Sequence, residues 1–338
     1  MSNMNTAATA FESITLEECA DRLLAIENPL VLMHARPDGD AVGSGAALCR
    51  IFEALGKHPR IACPDPIPKR LAFLAEGLEL AIDPLTREPL CDLSTLTAVS
   101  IDVPSAPQLG FVGELVSVDL AIDHHQVNRP YSTNYTVGGA SSAGEVLLGV
   151  ARRLEELGKI KIDRAIAAPI YAAMVSDTGG FAYSSANPDT YRHAAELIEL
   201  GVDHTDIYRR LFSSKSREQI RAEGYVAERM LTAAGGRIAY FTLSLEERES
   251  LGLDHTHFET AIDVVRSLFG CEIAVTVKEA EAGIFRASIR STSKNVAEIA
   301  ARHSGGGHAL AAGCSPVGES VLDAAEALLT DLIPLVSD

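Results

Sequence analysis

Ser117-Val-Asp-Leu-Ala-Ile-Asp-His-His-Gln126 is the stretch whose reading decides the fold. Its first six residues have the length and apolar content of a buried strand. Directly after them come a carboxylate and two imidazoles, a poor set for a hydrophobic core and a good one for a divalent cation. Taken alone the triplet is weak, because an Asp-His-His in a loop has an ordinary surface explanation. Its meaning rests on whether other strands end in the same way.

They do. Upstream, Pro29-Leu-Val-Leu-Met33 is a continuous apolar run of strand length, as expected where both faces of a parallel sheet are covered. It runs into His34-Ala-Arg-Pro-Asp-Gly-Asp40. Residues 60–63 and 96–101 read as further strands, the latter ending at Asp102. Helical periodicity occupies residues 16–27, 41–55 and 68–76 between them, and continues at 141–157, 163–175, 188–200 and 205–212. Strands alternating with helices define an α/β domain with a mostly parallel sheet flanked by helices. In such sheets ligands bind outside the carboxyl ends of the strands. His34, Asp38 and Asp40, then Asp102, then Asp123, His124 and His125 are therefore expected on one sheet edge. Asp177 arrives separately, at the end of the helix over 163–175, beside Gly179 and Gly180.

Each motif has a plain alternative. Pro37-Asp38-Gly39 is a turn sequence in its own right, Asp102 can be a strand-end cap, and Asp177 can be a helix-terminal surface carboxylate. Their common order and placement decide for chemistry. Imidazole and carboxylate donors without cysteine suit Mn²⁺, Mg²⁺ or Co²⁺. With Asp102 bridging, the inventory is sufficient for two ions, the arrangement that clamps attacking and leaving oxygens in phosphoryl displacement and acidifies a water.

After residue 216 the texture changes. Helices are expected at 219–231, 258–269, 295–302 and 318–335, and strands at 237–243, 271–278 and 284–290, the last two an antiparallel pair. This is a smaller α/β domain with a mixed sheet. The division expected is 1–187 for the catalytic domain, 188–216 for a helical linker and 217–338 for the second domain. That domain carries Arg302-His-Ser-Gly-Gly-Gly-His308, in which Gly305, Gly306 and Gly307 can expose successive backbone N–H groups as an anion nest. His308 can donate to a phosphate beside it, and Arg290 followed by Ser291 offers a phosphate fork at a strand end. A glycine hinge and a solvated strand-end Arg are the alternatives.

The net charge of −17 argues against stable binding of duplex nucleic acid, which needs many phosphates neutralised. Aromatic residues at 5% leave little for a stacking platform along single strands. Six cysteines without C-x-x-C spacing read as reduced thiols of a cytoplasmic protein. Residues 1–10 lack a secretory pattern, and no stretch is long and apolar enough to span a membrane. There is no G-x-x-x-x-G-K-[ST] loop and no G-x-G-x-x-G, so the usual ATP and dinucleotide devices are missing. The apolar helices over 141–175 are a candidate homodimer face or simply core.

In order and spacing, His34-x-x-x-Asp38-x-Asp40, Asp102, Asp123-His124-His125, Asp177 and Gly305-Gly-Gly-His308 resemble the DHH phosphoesterase family with its associated C-terminal domain. The short members form a nano-RNase group, oligoribonucleases that are also 3′-phosphoadenosine-5′-phosphate phosphatases. RecJ-type exonucleases are longer, and family II pyrophosphatases lack the Gly-Gly-Gly-His element. The resemblance implies one ion, Mn²⁺ by preference, held by His34, Asp38 and Asp102, and a second by Asp40, Asp102, His124 and Asp177. It implies that Asp123 supports the site from behind the ligands and that His125 meets the scissile phosphate. It also implies that Arg290, Ser291, Gly305–Gly307 and His308 hold the far end of a short RNA, DNA or nucleotide substrate in a cleft between the domains. Cyclic dinucleotides or linear pApA are alternative substrates within the same motifs, and a non-catalytic nucleotide-binding regulator is the alternative outside enzymes.

Overall fold

The structure is a computed structural model describing residues 11–125 and 130–337. Residues 1–10, where no secretory pattern is expected, and Gln126, which closes the Asp-His-His stretch, lie outside the described residues. The chain divides into two compact units, one up to Ser214 and one from Lys215 onward.

The first unit runs α1 (Leu16–Ala25), β1 (Pro29–Leu32), α2 (Gly39–Ala54), β2 (Arg60–Ala62), β3 (Glu79–Leu80), β4 (Thr97–Ile101), α3 (Val112–Leu115), β5 (Val118–Asp123), β6 (Thr133–Thr136), α4 (Ala143–Glu156), α5 (Arg164–Asp177), α6 (Pro188–Glu199) and α7 (His204–Tyr208). The strands form one sheet in the order β3-β2-β1-β4-β5-β6, parallel at every pairing. Alternation within each strand divides the core. Val31, Met33, Val99, Ile101, Leu120 and Ile122 face the layer of α1, α2, α4 and α5, while Leu30, Leu32, Ala62 and Ala98 face α3 and Leu109. The chain order reverses direction between β1 and β4, so the crevice of an open α/β sheet falls outside their carboxyl ends.

The all-parallel sheet with its helical cover is the architecture expected from the sequence. Two strands were not anticipated: β3 is two residues long, and β6 is a polar Thr-Asn-Tyr-Thr edge strand with no apolar run to announce it. The helix expected over 68–76 reduces to a 3₁₀ turn at Lys69–Leu71. The one expected over 205–212 is α7 followed by a π-helical turn at Arg209–Ser213. Leu197, Ile207 and Leu211 join the same core as α2 and α5, so residues 188–214 pack as part of the first unit. The apolar residues of α4 and α5, among them Leu147, Val150, Leu154, Ile170 and Met174, are buried within that core.

The close crossing of α2 on α5 depends on Gly43. A Cβ there would stand 2.8 Å from the Pro169 carbonyl oxygen and 2.9 Å from the Ala173 nitrogen, both backbone atoms that cannot swing away. Gly43→Ala is expected to cost about 1–3 kcal/mol as overpacking and to lower Tm measurably. A differential scanning trace with Tm unchanged would contradict this packing account.

The second unit contains α8 (Arg217–Arg229), β7 (Leu231–Ala233), β8 (Ile238–Leu243), α9 (Leu245–Ser250), α10 (Ala261–Arg266), β9 (Ile273–Glu281), β10 (Ile284–Ser291), α11 (Ala297–Arg302), β11 (Gly306–His308), β12 (Ala311–Cys314) and α12 (Val321–Val336). Its sheet, β11-β12-β10-β9-β8-β7, is mixed: β8 and β9 are parallel and the other pairs antiparallel. Leu328 and Leu332 of α12 pack on one face and Phe258 and Val265 on the other. The helix expected over 219–231 stops at Arg229, and Leu231 instead opens β7. The helix expected over 258–269 contracts to α10.

Candidate metal centre

Asp38 is the N-cap of α2. One carboxylate oxygen accepts from the backbone N–H groups of Asp40 and Ala41, at 3.0 and 3.1 Å. This is the ordinary reason for an Asp at a helix start. It begins the helix two residues earlier than the apolar pattern indicated and puts Asp40 in the first turn, buried. Asp40 is then gripped by a second helix. Its carboxylate accepts from the N–H groups of Ala143 and Gly144, at 2.8 and 3.2 Å, at the amino end of α4. Free N–H groups and the positive end of the helix dipole make that a suitable anion seat.

Asp102 follows β4 with φ of +59°, a left-handed conformation that Asp tolerates better than most residues. Its N–H bonds the Ile122 carbonyl at 3.0 Å, tying it to β5. Asp123 closes β5. One of its oxygens accepts from the N–H groups of His124 (2.7 Å) and His125 (3.0 Å) and from the His125 ring Nδ1 (2.9 Å). Asp123 therefore shapes the turn that presents both histidines. His34 and His124 each bond a backbone carbonyl through Nδ1, Ala35 at 2.8 Å and Ala140 at 3.2 Å. That leaves Nε2 of both rings directed at carboxylates, the arrangement seen when an imidazole is oriented for a metal.

The Nε2 of His34 lies 3.8 Å from Asp38 and 3.7 Å from Asp102. The Nε2 of His124 lies 3.6 Å from Asp40, 3.5 Å from Asp102 and 3.9 Å from Asp177. His125 Nδ1 is 3.5 Å from Asp102. Three donor groups result: His34, Asp38 and Asp102; Asp40, His124 and Asp177; and Asp102, Asp123, His124 and His125. Separations of 3.5–3.9 Å are too long for hydrogen bonds. They match the spacing of neighbouring donors around an ion bonded at about 2.0–2.2 Å. In addition, Oδ1 of Asp102 and Oδ2 of Asp123 are buried and accept no hydrogen bond from the described residues. A buried carboxylate oxygen without a donor is costly, and a cation removes that cost. The residues present fit a divalent metal.

The protons report the same imbalance. Burial drives the Asp40 carboxyl well above its ordinary range, and the Asp102 charge adds to this while His124 opposes it. Burial, with Asp102 and Asp38 adding, lifts Asp177 to about 6. Burial favours a neutral His34, but Asp102 and Asp38 override it and hold a proton on the ring up to about 11. His124 is likewise held protonated to about 10, against burial, by Asp102 and Asp40. Burial would raise Asp102, and the two protonated rings bring it below its usual value. The buried carboxylates thus favour positive charge at the two rings, the charge that a divalent cation also brings.

The remaining candidate residues lie in the second unit. Gly305–Gly307 are not an open nest. Gly306–His308 form the edge strand β11, paired residue for residue with β12. Glycine is required there by proximity, since a Cβ at Gly305 would stand 2.1 Å from the Gly313 carbonyl oxygen and one at Gly307, where φ is +142°, 2.5 Å from that of Ala311. This pairing puts His308 opposite Ala311, and Ala311 opposite Arg290 on β10. Directly opposed residues share a sheet face, so Arg290 and His308 flank a small alanine. The Ser291 hydroxyl accepts from the N–H of Lys294 at 2.8 Å and shapes the turn after β10. Reading the sequence missed the α4 terminus as the holder of Asp40. The capping pattern Ser142-Ala-Gly-Glu145 was the available signal, and Ser142 does cap α4.

Comparison with known proteins matches both parts of the chain to family models. The model of the DHH family N-terminal domain matches residues 28–174, and that of the DHHA1 domain matches residues 235–334. The chain is 31% identical over 316 residues to the bifunctional oligoribonuclease and PAP phosphatase NrnA of Thermus thermophilus, covering 92% of this chain and 91% of that one. It is 25% identical to the Bacillus subtilis protein of the same name, over 94% and 97% of the two chains. Among solved structures, an exopolyphosphatase-related protein from Bacteroides fragilis superposes with a TM-score of 0.84 at 23% identity, over 96% and 97% of the chains, a likeness of fold. The chain belongs to the DHH phosphoesterase family, with a DHHA1 domain following the DHH domain.

Proposed function

We propose that this phosphoesterase hydrolyses short oligoribonucleotides and 3′-phosphoadenosine-5′-phosphate with Mn²⁺ as its preferred metal. The observation that carries the reading is the pair of donor groups sharing one edge through Asp102: His34 and Asp38 on one side, Asp40, His124 and Asp177 on the other. The names of the two 31% and 25% identical relatives supply the substrate class. Bound divalent ions supply Lewis-acid stabilisation of phosphoryl oxygens and acidify water.

The chain's own residues do the rest. Asp123 holds Nδ1 of His125, which fixes the ring's orientation. Burial disfavours charge on that ring, but Asp123 outweighs it and raises its proton affinity above the ordinary histidine value. When protonated, the ring can direct its Nε2 proton at a phosphate oxygen or give it to the leaving alkoxide oxygen. In the second unit, Arg290 and His308 suit a terminal phosphate or nucleotide end, with Ser291 and Gly305–Gly307 shaping the backbone beneath.

The test is a panel of dinucleotides, long RNA, 3′-phosphoadenosine-5′-phosphate and cyclic di-AMP, with Mn²⁺ and with chelator. Turnover of the dinucleotides and the bisphosphate, abolished by chelator, is expected. Preference for long RNA or for cyclic di-AMP would replace the substrate assignment, and metal-independent turnover would overturn the reading altogether.

A further inference from the structure

Outside the donor groups, Glu145 is a buried acid of the first unit bound to no lysine or arginine among the described residues. One of its oxygens accepts from the Ser141 N–H at 2.7 Å and from the Thr190 hydroxyl at 3.4 Å. The other stands 2.7 Å from Nδ1 of His193, on α6. The backbone it grips is the segment the metal centre leans on. The Ala140 carbonyl orients His124, and the Ala143 and Gly144 N–H groups hold Asp40. Between Ala140 and Gly144 the chain thus contacts one imidazole and one carboxylate of the same donor group. Glu145 and the Ser142 cap fix where the segment sits.

From this geometry we infer that Glu145 and His193 are positioning residues for the metal centre, acting through residues 140–144 on His124 and Asp40. The inference rests on the metal-dependent reading of the site. Neither residue contacts the donor groups itself. Glu145 keeps the amino end of α4 at the depth where its N–H groups reach Asp40. His193, donating from Nδ1 and anchored on α6, prevents the buried carboxylate from turning toward another partner. Thr190, buried on the same helix face, completes the hold. Partners that orient ligands from behind commonly contribute about 10–100-fold to metal affinity.

The experiment compares Mn²⁺ binding by calorimetry for the unsubstituted protein, Glu145→Ala, His193→Ala and His193→Asn, each with its metal-free Tm. Loss of roughly tenfold or more in affinity is expected for both alanine variants. His193→Asn, whose amide can donate from nearly the position of Nδ1, is expected to recover most of it. His193 lies on a partly exposed helix face, so its alanine variant keeps the test valid if Glu145→Ala does not fold. A role in stability alone would lower Tm and leave the affinity of the folded protein unchanged, and that result overturns the inference while leaving the metal reading intact. Absence of binding by the unsubstituted protein overturns both.

Discussion

Asp102→Asn is expected to reduce metal-dependent hydrolysis on the order of 10³-fold while the protein stays folded. Asp102 is common to both sides of the centre, with one oxygen 3.7 Å from His34 and the other 3.5 Å from His124. Replacing its carboxylate by a neutral amide weakens both halves at once. Lewis-acid stabilisation of several kcal/mol corresponds to about three decades in rate. Asparagine is the informative substitution because the backbone here has φ of +59°. Asn accepts that conformation nearly as Asp does, whereas Ala adds strain and confuses loss of ligand with loss of fold. Circular dichroism and Tm close to the parent, together with the kinetic loss, support the bridging assignment. Turnover within tenfold of the parent would remove Asp102 from that role.

The second large effect is on pH. In the metal-free protein His34 holds its proton up to about 11 and His124 up to about 10. An imidazole binds a metal only when neutral, so at pH 7 each ring must release a proton as the metal enters. Apparent affinity is therefore expected to rise at least about 100-fold per pH unit across the neutral range, a slope of about two from the two histidines, to which any proton held by the raised Asp40 carboxyl adds. Below about pH 6 the slope steepens, because Asp177 then carries a proton as well. The same shifts affect metal-free stability with a definite sign. A histidine whose folded pKa is raised contributes stability that is fully present below its unfolded value near 6.5. That contribution is lost as pH rises through the folded values of about 10 and 11. Metal binding should thus stabilise the protein more at pH 8 than at pH 6. Calorimetry in buffers of differing ionisation enthalpy counts the protons directly, and an affinity flat with pH would refute this account of the charge.

How much was readable from the chain depends on which interactions are local. The four main strands announced themselves because both faces of a parallel sheet are covered, which leaves uninterrupted apolar runs such as residues 29–33. Their ends marked the candidate donors, since polar residues placed directly after such runs lie at the sheet edge. The edge strands did not announce themselves. β6 is polar, and β11 is made of glycines whose purpose is a close approach to β12. Glycine marks many kinds of tight backbone, so Gly305–Gly307 read equally well as a nest.

By itself, then, the sequence determined the α/β class and the strand ends, and it singled out His34, Asp38, Asp40, Asp102, Asp123, His124, His125 and Asp177 as candidates, because residue type and periodicity are local properties. Only the tertiary structure decided how they are held: Asp40 by the amino end of a helix 103 positions away, His124 by the Ala140 carbonyl, and Asp102 in a left-handed backbone tied to β5. Those contacts join segments far apart in the chain. No periodicity encodes them, and they exist only once the sheet and its covering helices have packed.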